Sequence, residues 1–286
     1  MTRFGLIGTG HWARGTHAAA LAAHPEVDLV GIWGRRPEAA TALAADFGVR
    51  VYPDPDSLIA DVDAVAFAVP PDVQAAIAIR AATAGRHLLL DKPIALDPQT
   101  ADRLVAAADA GGVRSVVFFT RRFIPETAAW IAGPGAEPGW VAADITMHGS
   151  IFGAGSPHEG SRWRKENGAL WDMGPHALSM TVPVLGAVDA VVGVRGHGDT
   201  VGLTCRHAWG GVSTVLLSLT APPAGVASRM VFYGAAGVAD LTGPADAVAA
   251  YRNCVSALLD PTPSECDVRF GRDVVHTLNA ASQALG

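Results

Sequence analysis

Cysteine is scarce. Cys205, Cys254 and Cys266 stand far apart in 286 residues, with no C-x-x-C pair and no Cys/His cluster. That spacing indicates neither a disulfide framework nor a metal site. Positive charge is not in excess: 21 Lys and Arg against 27 Asp and Glu leave a net charge of −6. The balance argues against nucleic acid or an anionic membrane surface as the main partner. No apolar run is long and unbroken enough to cross a bilayer, so no membrane partner is expected. The opening Met1-Thr2-Arg3-Phe4-Gly5-Leu6 enters a strand pattern without the basic and apolar regions of a signal peptide. The expected location is the cytoplasm. Hydrophobic residues are plentiful, half of the chain, and suffice for one or two cored domains.

Two grammars divide the chain. Up to about residue 120, apolar strand-like runs (4–8, 27–33, 64–69, 87–90, 116–120) alternate with helical stretches (12–23, 37–47, 72–84, 98–110). Pro37 and Pro98 sit at helix starts, and Gly48, Gly85 and Gly111-Gly112 at helix stops. Continuous apolar strands with helices between them predict a doubly wound parallel sheet, a Rossmann domain over 1–120. From residue 121 to 286 the pattern changes. A helix near 125–132 and a strand at 140–148 precede an irregular polar stretch through Asn167, then a helix from about Leu170. Strands follow near 190–195, 200–209, 211–221, 228–233 and 237–241, and a last helix runs from Val268 to Leu285. Consecutive strands predict an α+β domain with a largely antiparallel open sheet.

Gly8-Thr9-Gly10-His11-Trp12-Ala13 joins the first strand to the first helix as a GxGxxA turn. The first glycine makes the turn, the second lets backbone approach a pyrophosphate, and Ala13 allows close helix–strand packing. The helix N-terminus supplies N–H groups and positive potential. Gly8, Thr9, Gly10, His11 and Trp12 are therefore expected at a dinucleotide. The second strand ends Trp33-Gly34-Arg35-Arg36, with glycine where an acidic residue would hold the ribose of NAD. Two guanidiniums follow, suited to a 2′-phosphate, so NADP(H) is favoured over NAD(H). Val69-Pro70 should wall the same crevice. Asp91-Lys92-Pro93 leaves the strand 87–90 at the edge where such sheets bind ligands, and the Lys92 ammonium could stabilise charge developing on a substrate oxygen.

Gly168-Ala169-Leu170-Trp171-Asp172-Met173-Gly174-Pro175-His176 is the densest chemical stretch. On a helix, Asp172 and His176 lie four residues apart on one face. A carboxylate beside an imidazole can hold one ring tautomer and leave the other nitrogen for proton transfer. Gly168 and Gly174 would permit close backbone approach at a crowded pocket floor. Of the other histidines, His148 could reach a cleft, while His197 and His207 show no ligand spacing.

Taken in order, G-L-I-G-T-G-H-W-A, D-V-D-A-V (61–65), V-P-P (69–71), A-G-R-H-L-L-L-D-K-P (84–93), R-R-F (121–123), W-R (163–164) and N-G-A-L-W-D-M-G-P-H (167–176) resemble the Gfo/Idh/MocA oxidoreductases. Asp91 replaces the family's Glu before Lys-Pro, and Ser179 stands where many members carry an Asp. Gln74 stands where many have a His or Asn near the cofactor. The resemblance implies an NAD(P)-dependent oxidoreductase for a small sugar-like alcohol or carbonyl. It implies that Lys92, Asp172 and His176 line the active site, with Asp91 at the cofactor and Trp163 and Arg164 near the nicotinamide. Two other classes stay open: an NADP-binding sensor without catalysis, and a glycoside hydrolase that uses bound NAD. A sheet face left open in the second domain suggests a homo-oligomer.

Overall fold

Strands that are apolar on both faces need helices on both faces. The computed structural model describes residues 1–286 and has this arrangement in its first unit, Met1–Ile124 with Asp246–Val275. β1 (Thr2–Ile7), β2 (Val27–Trp33), β3 (Arg50–Val51), β4 (Ala64–Phe67), β5 (His87–Asp91) and β6 (Ser115–Phe118) form one sheet in the order β3-β2-β1-β4-β5-β6. Every pairing is parallel. Phe4, Leu6 and Ile7 of β1 and all of β4 are fully buried, which is why these segments lack alternation.

The connecting helices carry the start and stop signals that their sequences show. After β1 a π-helical stretch, Ala13–Ala18, runs into α1 (Ala19–Ala22). α2 (Pro37–Phe47), α3 (Pro55–Ala60), α4 (Pro71–Thr83) and α5 (Pro98–Gly111) follow. Asp54 caps α3 by accepting from Ser57 N at 2.7 Å, and Asp97 caps α5 by accepting from Thr100 N at 2.8 Å. α2 and α5 stop at Gly48 and Gly112, whose φ of 65° and 61° is left-handed. β3 and α3 lie between the sequence-predicted elements. They are too short, at two and six residues, to leave a periodic signal.

The second unit, Pro125–Ala245 with His276–Gly286, holds α6 (Pro125–Ala132), β7 (Trp140–His148), α7 (Arg162–Leu185), β8 (Val188–Arg195), β9 (Val201–His207), β10 (Val212–Ser218), β11 (Ala227–Gly234) and β12 (Gly237–Asp240). The sheet order is β12-β11-β7-β10-β9-β8, antiparallel except where β10 runs parallel to β7. Side chains alternate along β10: Ser213, Val215 and Leu217 are buried, whereas Val212, Thr214 and Leu216 are exposed. The two-part α/β architecture expected from sequence is the one observed.

One expected boundary differs. A division at residue 120 assigns everything downstream to the second domain, yet 246–275 packs in the first unit. The cause is α8 (Ala247–Leu259), an element beyond those expected from the sequence. Asp246 caps it, and Ala250, Tyr251, Cys254, Val255 and Leu258 form its buried stripe. The Tyr251 ring meets His17 at 4.2 Å and Phe118 at 4.8 Å. Beyond α8, Cys266 O accepts from Val117 N at 2.7 Å, beside the edge strand β6. α9 (Val268–Ala284) begins in the first unit and ends in the second.

His17 is fully buried, and neither ring nitrogen has a hydrogen-bond partner. Burial pushes its imidazole down to about 3, so the ring is neutral and its 3.9 Å approach to Asp91 Oδ2 is not an ion pair. The unfolded chain binds a proton here below the ordinary value of 6.5, and the folded chain does not until about pH 3. Stability is therefore lost as pH falls through that window, with a slope near 1.4 kcal/mol per pH unit. His17→Leu should remove about that much slope between about pH 4 and 6. Urea unfolding across this range measures it, and an unchanged slope would contradict the assignment.

Candidate functional site

In a parallel sheet all strands end at one edge, so the segments after β1, β2, β4 and β5 emerge together. Gly8–Gly10, Gly34–Arg36 and Ala68–Pro70 line a cleft of about 480 Å³ at this edge. Gly8 has φ 135°, and a Cβ there would lie 2.4 Å from Ala68 O. Its N–H donates to Trp33 O at 2.9 Å. No other residue type can make this turn. A Cβ on Gly10 would meet nothing within 4 Å, so its backbone borders open space at the start of a helix, where a pyrophosphate needs N–H donors and room. These residues fit a dinucleotide. His11 is exposed at the helix start, and Trp12 is half-buried with its ring edge toward His17.

The end of β2 bears no acidic side chain. The place a Cβ of residue 34 would take is 2.4 Å from the methyl of Thr9. Arg35 and Arg36 are exposed at the mouth of the cleft.

β5 delivers Asp91 and Lys92 to the same edge. Lys92 N donates to Asp91 Oδ1 at 2.8 Å. Gln74 on α4 is 1% exposed. Its amide bonds the backbone of Asp91 and Pro93, so it supports the lysine segment. Arg122 donates to Glu265 Oε2 at 3.0 Å and lies over the Phe270 ring, all within the first unit.

In the second unit, α7 carries the other expected site residues. It starts at Arg162, earlier than residue 170, and breaks at Gly168, where φ is 65° and ψ −165°. The break explains why the sequence before Leu170 looks irregular. Asp172 and His176 then lie one turn apart on the continuous part, with Asp172 buried and His176 half-buried. Arg164, from the segment before the break, donates through Nε to Asp172 Oδ2 at 3.0 Å. Its guanidinium lies 4.6 Å from the Trp163 ring. Trp163 and Arg164 therefore build a cationic bracket for Asp172. Gly174 serves packing: a Cβ there would sit 2.7 Å from Leu278 of α9. The Ser179 hydroxyl donates to His176 O at 2.8 Å, so the residue replacing the family's Asp bonds the helix backbone. His207 is structural, with Nδ1 on Gly186 O and Nε2 on Ser213 Oγ. His148 Nε2 is buried without a partner. No group of three His, Cys, Asp or Glu side chains could hold a metal ion.

Comparison with known proteins agrees with this description. Residues 2–119 match the family described as "Oxidoreductase family, NAD-binding Rossmann fold". UDP-N-acetylglucosamine 3-dehydrogenase from Acidithiobacillus ferrooxidans is 40% identical over 106 residues, 37% of this chain and 33% of that protein. Inositol 2-dehydrogenase from Rhizobium meliloti is 27% identical over 224 residues, 73% of this chain and 66% of that protein. The chain thus aligns with less than two thirds of the length of these relatives. Solved structures match over almost all of it. The Acidithiobacillus enzyme superposes with a TM-score of 0.82 at 26% identity, covering 99% of this chain and 97% of the other. GenD2 from gentamicin A biosynthesis, solved with NAD, gives 0.83 at 25% identity, covering 99% and 93%. Residues 2–119 thus carry the match to the Gfo/Idh/MocA oxidoreductase family, and the chain as a whole shares the fold of these solved proteins.

The two glycines of the first turn separate folding from binding. Gly10→Val should leave the melting temperature within about 2 °C and weaken NADPH binding at least about tenfold by filling the phosphate space. Gly8→Ala should lose both. Fluorescence titration with a thermal melt checks this, and undiminished NADPH affinity in Gly10→Val would contradict it.

Proposed function

We propose that the protein is an NAD(P)-dependent dehydrogenase or reductase that interconverts CH–OH and carbonyl on a sugar-like ring, with NADP(H) preferred. The observation that carries the reading is the shared strand edge. The Gly8–Gly10 turn, the Gly34–Arg36 segment and Asp91-Lys92 all leave the carboxyl ends of adjacent parallel strands. The names of the relatives, a UDP-sugar 3-dehydrogenase and an inositol 2-dehydrogenase, support a polyhydroxylated ring as substrate. Arg35 and Arg36, with no carboxylate at position 34, support a 2′-phosphate on the cofactor. Three cysteines, all buried and unpaired, accord with a reducing cytoplasm.

When bound, the nicotinamide supplies the hydride chemistry. The chain's own groups supply alignment and charge. The Lys92 ammonium stabilises the reacting oxygen as it gains negative charge. His176 exchanges the hydroxyl proton, a task that suits histidine because a free imidazole titrates near neutrality. Asp172, fixed by Arg164, accepts a neighbouring ring hydroxyl or orients His176. By the family resemblance, Asp91, Trp163 and Arg164 are assigned to the cofactor side.

Lys92→Ala and His176→Ala should each lower kcat by about 10² or more while NADPH still binds. Arg35→Ala with Arg36→Ala should raise the NADP(H) Kd about tenfold or more and spare NAD(H). Kinetics on a panel including UDP-N-acetylglucosamine and myo-inositol, with both cofactors, decide this. Near-normal turnover in the two alanine variants, or a higher kcat/KM with NAD(H) in the parent, would contradict the respective claim.

The same reading includes self-association. The outer face of the second sheet exposes Val192, Val194 and Leu216 around a shallow groove, an apolar surface that a second copy could cover. Light scattering should give a multimer for the parent and a monomer for Val192→Glu with Leu216→Glu. A monomeric parent would refute it.

A further inference from the structure

β5 runs two residues, Leu90 and Asp91, beyond its last pair with β4. The β4–β5 register ends at the pair Ala66–Leu89, and β4 leaves the sheet after Phe67. On its other side Asp91 still pairs with Phe118 of β6. Toward β4, the Asp91 N–H donates to Gln74 Oε1 at 2.8 Å, and Gln74 Nε2 donates to Asp91 O at 2.7 Å and to Pro93 O at 3.3 Å. A backbone N–H can only donate and a carbonyl only accept, so one orientation of the amide fits. The side chain stands in for the peptide group that β4 no longer offers. It grips both residues that flank Lys92, and its 1% exposure excludes water as a substitute.

We propose that Gln74 is a positioning residue for the reaction. Its buried amide completes the ladder across Asp91 and Pro93 and thereby fixes the backbone from which Lys92 reaches the substrate oxygen. The role of Lys92 is taken from the functional reading above; the clamp itself stands on its own geometry. Asp91 and Lys92 are the ionisable groups on the segment it holds. From α3, Asp56 is paired with Arg80 of α4, and on α5 Asp102 and Arg103 are exposed. Asp72 is exposed on α4 itself.

Two substitutions separate positioning from mere packing. Gln74→Met keeps length and burial but removes both bonding functions. Gln74→Glu keeps the acceptor for Asp91 N–H, and can donate to one of the two carbonyls only while its carboxyl is protonated. Burial among acceptors favours that form at mildly acidic pH. For Gln74→Met, kcat should fall about tenfold or more at every pH, with KM and the NADPH Kd within about twofold, because a displaced ammonium is felt mainly in the transition state. For Gln74→Glu, the ratio of its kcat to that of the parent should climb as pH drops from 8 to 5.5, with melting temperature followed at each pH. A ratio that does not change with pH, or parental kcat in Gln74→Met, would overturn the proposal. Hydrogen exchange at the Asp91 amide gives an arm independent of turnover. Exchange should accelerate in Gln74→Met with NADPH bound, and unchanged protection overturns the clamp. If the parent itself turns over none of the panel, the dehydrogenase reading fails, and the Asp91 amide still decides the clamp.

Discussion

Parallel pairing in the first sheet is the constraint on which the rest depends. Because β1, β2, β4 and β5 run the same way, every segment that follows them emerges at one rim. A glycine turn, a pair of arginines and a lysine, separated by up to 84 positions between Gly8 and Lys92, share that rim through register alone. Burial enforces the register. Phe4, Leu6, Ile7 and Phe67 have no exposed surface, so slipping any strand would expose large apolar area, at roughly 25 cal/mol per Å².

Local departures from regular structure fall where chemistry is expected. A π-helical stretch follows the phosphate turn, and α7 breaks at Gly168 between Arg164 and Asp172. The break lets one chain segment turn back and place a guanidinium against a buried carboxylate. An isolated ionised carboxyl at 5% exposure would be costly. Arg164, held over the Trp163 ring, supplies the compensating charge.

How much of this was legible in the sequence depends on whether the signal was local. The Gly8–Gly10 turn, the Pro37 and Pro98 starts, and the Gly48 and Gly112 stops depend on nearby residues, and the structure has them where the pattern put them. α8 was legible in principle, since Asp246 followed by apolar residues at 250, 251, 254, 255 and 258 is a capped amphipathic helix. What the pattern could not convey was its destination. Only the tertiary contacts of Tyr251 with His17 and Phe118 show that this late helix belongs with the first unit. The Gln74 clamp and the Arg164–Asp172 pair were illegible for the same reason. The first depends on where β4 ends, the second on the break at Gly168 within α7. Gly174 looked like a pocket-floor residue and serves α9 packing, because a small residue gives the same sequence signal for either use.

The most direct measurement is a crystal structure of the protein with NADPH. The account predicts the pyrophosphate at the backbone N–H groups after Gly10, the 2′-phosphate at Arg35 or Arg36, and the nicotinamide ring toward Lys92. Cofactor density elsewhere, or a glycine turn that stays empty at saturating NADPH, would contradict it.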